Sequence, residues 1–565
     1  MADSFALDTD QLGGLPIINA FYDRLGLTDV LGQFLPHDGV RVQLAPAAVL
    51  GVVIRNLALG HRPVYALGEW AGGFDPALLG LGGRDVPLLN DDRVGRELSR
   101  LFDADRALLL TRVVLDAITA FDLDVTQLHN DSTSVTFAGS HAAADGHTRG
   151  GKPTPAIVHG HNKDHRPDLK QLVFILTVTA DGAVPIAART VDGNTTDDTT
   201  HIVTWDGLAA LVGRTDFLYV ADAKLATRPN MDHIHTAGGR FVSVLPATRK
   251  EDRAFRDWIV DHQPVWTEAA RRPSRRADGP DEVWHTTPAP WPSSEGHRIV
   301  WVRSSSKTTR DAETRRARIG RGIAALDDLN QRLASPKSRI KTAVAAEQAA
   351  TTALATTHAA RWIGFTVDTH DEESFRQEKR GRPGANTRYR KTIKTRFRID
   401  WHVDEDRVGR DAASDGCFPL ISNDRTLDDA GLLAAYKYQP NLEKRYSQLK
   451  GTQLVTPMYL RDPARIEALL CCHFLAMLIQ ALIERHIRAA MADRDLTELS
   501  IYPEDRGCPA PTTARILQIF AGLSRHHLSD SDGRHVQTFH PDLTDLQRQV
   551  LDLLDIPTSA YTTAP

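Results

Sequence analysis

The sequence predicts an α/β protein: a mixed sheet flanked by helices, interrupted by an α+β insertion domain and preceded by an all-helical N-terminal domain. Three observations predict it. Apolar residues recur three and four apart up to about residue 115, strand-like runs begin after Ala120, and polar, Arg- and Pro-rich sequence separates the strand region from later helices between about Lys250 and Arg425.

The first helices are LPIINAFYDRLGLTDVL, PAAVLGVVIRNLAL and RVGRELSRLFDADRALLLTRVVLDAI, with breaks near Pro36, Pro63 and Pro87. Residues 1–115 are assigned to this N-terminal domain. FDLDVTQLHND, KQLVFILTVTADG and AVPIAARTV then read as three strands, the last two a hairpin turning at Asp181-Gly182. A helix over Thr199–Val212, a strand FLYVAD, a helix near Pro229–Thr236 and a strand FVSVLP follow. Three strands, helix, strand, helix, strand is the element order of a ribonuclease-H-like fold, and residues 116–250 are assigned to the first part of such a core.

Residues 251–425 form the insertion domain, with strand-like HRIVWVRS, RWIGFTVD and RFRIDWHV. Within it, Thr308–Ala360 is rich in Ala, Arg, Glu and Leu, and Ser335-Pro336 divides it into two long helices of a helical hairpin. Helix resumes at Thr426–Lys450 and Ala464–Ala492, the second part of the core at 426–495. Residues 496–565 are a small C-terminal appendage with helices near Thr513–Leu523 and Leu543–Leu554.

At 565 residues the chain exceeds one ordinary domain, and 41% hydrophobic with 25% charged residues is globular usage. The formal net charge of −4 shows no overall basicity, so any polyanion contact must come from local clusters. Four cysteines, Cys417, Cys471, Cys472 and Cys508, suit neither a disulfide framework nor a paired zinc motif, and fit a reducing cytoplasm. MADSFALDTDQLGG lacks the pattern of a signal peptide. The run Ala468–Ile483 is short for a membrane span, carries His473 and Gln480, and reads as a buried core helix; no membrane partner is expected. No Walker loop, dinucleotide fingerprint or nucleophile elbow is evident.

Phosphoryl transfer by two metal ions needs hard oxygen ligands on converging carboxylates. Asp131 follows the strand DVTQLHN and Asp222 ends FLYVAD, both placed at strand ends where side chains converge. Either Asp taken alone is more simply explained as a turn former or helix cap. The third segment is YKYQPNLEKRYSQLK. Tyr436, Glu443 and Lys450 are seven residues apart, which puts them on one helix face, and Pro440 predicts a helix that begins afresh there with Pro in its first turn. The alternative for the same segment is an amphipathic surface helix with solvated charges and with Tyr436 and Leu442 as core contacts.

The segment resembles insertion-sequence transposases of the DDE class, which carry Tyr, two residues, Arg, three residues, Glu, six residues, Lys around the third carboxylate. Tyr436, Glu443 and Lys450 match, and Gln439 stands where the family has Arg, leaving a phosphate contact weaker or supplied by Lys437 or Arg445. LPIINAFYDRLGLTDVL, HGHNKDHRPDLKQLVF, DGNTTDDTTH, RIEALLCCHFLAMLIQALIER and YPEDRGCPAPTTARIL are similar to segments of the branch with a helical N-terminal domain. The resemblance implies Asp131, Asp222 and Glu443 as catalytic residues and ligands of Mg2+, with Mn2+ as a substitute, and Tyr436, Gln439 and Lys450 as DNA contacts. It implies binding of double-stranded DNA at terminal inverted repeats, cleavage there, and joining of the 3′-hydroxyl to target DNA, by a homodimer on paired ends in the cytoplasm, at the nucleoid of a bacterium. The alternatives are a transposase-derived DNA-binding protein without catalysis and a nuclease without strand transfer.

Between Arg376 and Arg398 basic residues abound, with Glu378 opposing them, and Lys379, Arg380 and Arg382 resemble an Arg-Gly-Arg-Pro hook for a minor groove. A flexible solvated loop is the plain alternative. Lys307, Arg310, Arg315, Arg316, Arg318 and Arg321 give one helix a basic stretch that fits DNA or solvent equally. His161 and His165 have zinc-like spacing without further ligands, so His159, His161 and His165 are read as facing DNA or capping a strand.

Overall fold

A computed structural model describes residues 5–563 apart from 37–42, 61, 143, 275–278, 457 and 459; the first four residues of the N-terminal stretch read above thus lie outside the described residues. The chain divides into two compact units, Met1–Ser243 with Ala435–Pro565 and, separately, Val244–Ala434.

The first unit opens with β1 (Ala6–Gln11), then α1 (Leu15–Arg24), α2 (Leu27–Phe34), α3 (Pro46–Leu59), α4 (Leu67–Ala71), α5 (Asp91–Asp103) and α6 (Arg106–Phe121). Local chemistry sets the helix ends. Pro46 occupies the first turn of α3, and the Asn90 and Asp105 side chains accept from Arg93 N and Leu108 N to cap α5 and α6. The sheet strands are β2 (Gln127–Phe137), β5 (Lys170–Thr179), β6 (Pro185–Asp192), β7 (Leu218–Val220) and β8 (Arg240–Val244); β3 (Thr148–Arg149) and β4 (Lys152–Pro153) form a separate two-residue pair. Their order is β6-β5-β2-β7-β8, with β5 antiparallel to β2 and β6, and β7 parallel to β2 and β8. β2 is central and buried along most of its length, as a strand covered on both faces must be. α7 (His201–Val212) and α8 (Arg228–Thr236) connect the later strands.

The second unit contains α9 (Lys250–Asp261) and strands β9 (Thr267–Arg272), β10 (Glu282–Pro288), β11 (Arg298–Ser304) and β14 (Cys417–Ser422), antiparallel in the order β14-β11-β10-β9. Between β11 and β14 stand the expected helices α10 (Ser305–Ala334) and α11 (Ala343–Thr356), a hairpin β12 (Ile363–Gln377) and β13 (Tyr389–Val403), and α12 (Glu405–Ala412). Leu326, Leu329, Leu333, Ala350, Phe397 and Ile399 form a core joining the helices to the base of that hairpin. Within the basic segment, residues 376–377 and 389–398 are paired strand, while Lys379, Arg380, Arg382 and Arg388 lie in the connection between the two strands.

α13 (Asp429–Lys437) leads back into the first unit, followed by α14 (Pro440–Lys450) and α15 (Pro463–Asp493). As Pro440 predicts, the helical stretch breaks at Tyr438 and Gln439 and α14 begins afresh with Pro440 in its first turn. α15 is long and apolar enough to cross a membrane, but it is buried inside the protein, where its Gln480 amide donates to the Ala58 carbonyl at the end of α3. The chain then adds α16 (Thr513–Phe520), β15 (Ser524–Ser529), β16 (His535–Phe539), α17 (Asp545–Leu553) and α18 (Ser559–Thr562).

The N-terminal region is not all-helical: β1 pairs antiparallel with β15, and β16 completes a three-stranded sheet. β1 is exposed and polar, so backbone pairing between distant segments, rather than an apolar alternation, makes it a strand.

Candidate active site

Asp131 lies inside β2 opposite Leu176, and not at the strand end expected from the sequence, because Thr133, Val135 and Thr136, three strand-favouring residues after it, carry the pairing on to Phe137. Asp222 stands just past the end of β7, as expected, with its Oδ1 accepting from Lys224 N at 3.0 Å and its carbonyl accepting from Ser243 Oγ at 2.6 Å. β2 and β7 are adjacent and parallel, so the two side chains converge.

A third carboxylate joins them that the sequence analysis did not assign. Asp197 opens a single 3₁₀ turn (Asp197–Thr199) between β6 and α7, and one oxygen from each of Asp131, Asp197 and Asp222 lies within 4.8 Å of the others. Among the described residues this is the one group of three or more His, Cys, Asp or Glu side chains close enough to share a metal ion. The signal was present in DGNTTDDTTH, but paired acids before a helix usually read as caps.

The loop of His159, His161 and His165 contributes a lysine. Buried Asn162 ties the loop together by accepting from Asp164 N and donating to Gln171, which turns Lys163 onto the sheet. Lys163 Nζ lies 3.1 Å from Asp131 Oδ1, 3.1 Å from Asp197 Oδ2 and 2.8 Å from the Ser132 carbonyl. The Ser132 hydroxyl donates to Asp197 and the Ser132 amide to Asp131.

These contacts split the three acids electrostatically. Burial pushes Asp131 up to about 6, against the pull of the Lys163 ammonium, and the neighbouring Asp222 charge adds to the rise. Burial likewise raises Asp222. Burial acts to raise Asp197 too, but the Ser132 hydroxyl and Lys163 outweigh it and hold this carboxyl below its ordinary value.

α14 is fastened directly over β2. Tyr446 donates its phenol to the Asp131 carbonyl, and Gln439 Nε2 donates to the Asn130 carbonyl at 2.9 Å while its Oε1 lies 2.9 Å from His129 Nδ1. Burial, against the Gln439 hydrogen bond, lowers His129 to about 4, so the ring is neutral. Gln439 is only 7% exposed. The DNA contact expected of it is replaced by an internal one: its amide pins the start of α14 to β2. Arg445, considered as a substitute cation, is also internal, bonded to Glu484 and to the Gly182 and Ala183 carbonyls.

Glu443 lies in the first turn of α14, exposed and outside the three-Asp group. Burial, then the charges of Asp222, Glu443 and Asp131 in that order, push the Tyr436 phenol up to about 12. Lys450 Nζ is 2.6 Å from Asp164 Oδ1, in the loop that carries Lys163. Lys379, Arg380 and Arg382 are exposed in the β12–β13 connection of the second unit.

The donor set fits a hard divalent cation. Three carboxylates offer only oxygen ligands, and burial raises Asp131 and Asp222 despite the nearby Lys163 ammonium. Asp131, Asp197 and Asp222 would hold such an ion.

Residues 7–115 match a family described as Domain of unknown function (DUF4277). A search among curated proteins finds no match to the chain. Among solved structures, the chain is similar to the cryo-EM structure of a piggyBac transposase synaptic complex with hairpin DNA, at 8% identity over 83% of this chain and 73% of that one, with a TM-score of 0.32.

Proposed function

We propose that this chain is a metal-dependent DNA strand-transfer enzyme of the transposase type, with Asp131, Asp197 and Asp222 holding Mg2+, or Mn2+ in its place, and Glu443 serving the same site from α14. The observation that carries the reading is the approach of the three Asp oxygens to within 4.8 Å across a central strand, its parallel neighbour and the turn before α7. The order β6-β5-β2-β7-β8, with the first strand central, supports a ribonuclease-H-like core. The spacing of Tyr436, Glu443 and Lys450 supports transposition over other phosphoryl transfers.

When bound, the metal supplies positive charge for the phosphoryl oxygens and a more acidic coordinated water. The chain's own groups set the stage. Tyr446 and the Ser132 amide fix Asp131, Ser132 and Lys163 fix Asp197, and Ser243 holds the Asp222 backbone. Gln439 sets where α14 begins, and hence where Glu443 stands relative to β2. Lys450 and Tyr436 would position a DNA phosphate, and a homodimer would engage the paired inverted repeats of an insertion sequence.

The test is Mg2+-dependent cleavage of a duplex carrying the inverted repeats that flank the reading frame. Wild type is expected to cut and to join the 3′-hydroxyl to target DNA, while Asp131→Asn, Asp197→Asn and Asp222→Asn bind the ends and lose cleavage by at least about a hundredfold, as expected when a metal ligand is removed. Full cleavage by Asp131→Asn would remove the proposal. Cutting without joining identifies a nuclease, and binding without cutting an inactive DNA-binding relative.

A further inference from the structure

The hairpin β12–β13 of the second unit is a ribbon of two kinds. Its base packs through Ile363, Phe397 and Ile399 into the core with α10 and α11. Its outer pairs, from His370 opposite Arg396 to Gln377 opposite Tyr389, continue roughly 25 Å further at the usual rise of a strand. Residues of this outer part are almost all exposed on both faces.

Charge along the ribbon is sorted. On the stem the cations face acids: Lys391 pairs with Glu373 at 2.5 Å, Arg396 pairs with Glu372 at 2.9 Å, and Lys394 stands opposite Glu372 in the strand register. Toward the tip they do not. Arg376, Lys379, Arg380, Arg382, Arg388 and Arg390 are exposed, make no ion pair among the described residues, and have only Glu378 for an acidic neighbour in the segment. Arg376 and Arg390 stand directly opposite each other, an arrangement that costs a strand pair stability unless an anion lies between or beside them. The tip is nonetheless built. Glu378 N donates to the Arg388 carbonyl, Gln377 Nε2 to the Gly381 carbonyl, and Gly384 N to Thr387 Oγ1. Beside it, Phe375 and Tyr389 are 62% and 50% exposed.

We propose that this hairpin is a DNA-binding arm whose tip grips the phosphates of a duplex without regard to sequence, a use that rests on the reading of the chain as an enzyme acting on DNA. A two-stranded ribbon is narrow enough for a DNA groove, and a closed tip holding six cations meets a polyanion with little ordering cost. The sorting of charge selects this partner: an ordinary solvated arm has no reason to neutralise its stem and leave its end bare.

The experiment is fluorescence anisotropy of the full chain on a random-sequence 30-base-pair duplex in EDTA, over a series of salt concentrations, so that binding is read and cleavage is not. The variant Lys379→Ala/Arg380→Ala/Arg382→Ala is expected to bind about tenfold or more weakly, with the slope of log K against log salt shallower by about 2 to 3. Arg376→Thr/Arg390→Thr, which relieves a repulsion and so keeps the fold, is expected to lower the slope by about 2. Lys391→Ala, on the neutralised stem, is expected to bind like wild type. Wild-type affinity and slope in both tip variants would overturn the arm while leaving DNA binding intact. Failure of the wild type to bind any duplex would overturn the arm and the DNA reading together.

Discussion

The Lys163 ammonium lies 3.1 Å from Asp131 Oδ1 and takes up one oxygen of the group that a divalent cation would use. Lysine and metal therefore compete. Lys163→Gln is expected to bind Mn2+ about fivefold more tightly by titration calorimetry, the equivalent of roughly 1 kcal/mol of relieved like-charge repulsion at a partly screened site. Unchanged or weaker affinity would show that Lys163 is not displaced when metal binds.

The raised Asp131 carboxyl makes stability depend on pH. With a folded value of about 6 against an ordinary 3.8, the folded chain binds the extra proton between those limits, so stability falls as pH rises from about 4 to about 6 and stays reduced above. Asp131→Asn removes that loss. In EDTA the variant is expected to match wild type near pH 4 and to exceed it by about 1–3 kcal/mol at pH 7 in urea unfolding, the range allowing for screening of a carboxyl that is not fully enclosed. A variant less stable than wild type at pH 7 would contradict the electrostatic account.

Much of this was legible in the residues, for reasons that are local. Asp222 was placed by the apolar run FLYVAD that it ends, and Pro440 by its fixed backbone angle and missing N–H. The apolar run Ala468–Ile483 in α15 points to a core helix because it is short for a membrane span and carries His473 and Gln480. What escaped depends on distant partners. Asp197 becomes a ligand candidate only when the loop of Lys163 folds over β2, and β1 is a strand only because β15, at the other end of the chain, lies beside it. Gln439 was misread because its spacing matches a motif of surface contacts, whereas its hydrogen bonds run to His129 and Asn130 in the interior.

That interior role gives Gln439→Arg an unfavourable outcome. A guanidinium placed between neutral His129 and the Asn130 carbonyl is buried without an acid in either hydrogen bond that Gln439 makes. The variant is expected to lose about 2–4 kcal/mol in urea unfolding and to gain no cleavage, although it restores the family's residue. A stable variant with higher activity would show that position 439 faces DNA after all.

The central claim is that Asp131, Asp197 and Asp222 together hold a divalent cation. Mn2+ titration followed by electron paramagnetic resonance, on the wild type and on each Asp→Asn variant, tests it most directly. The account predicts saturable binding by the wild type and a loss of affinity of at least about tenfold in all three variants, as for removal of a direct ligand. Equal Mn2+ affinity in wild type and Asp197→Asn, with losses confined to the other two, would contradict the three-aspartate site; equal affinity in all four proteins would leave no metal site there.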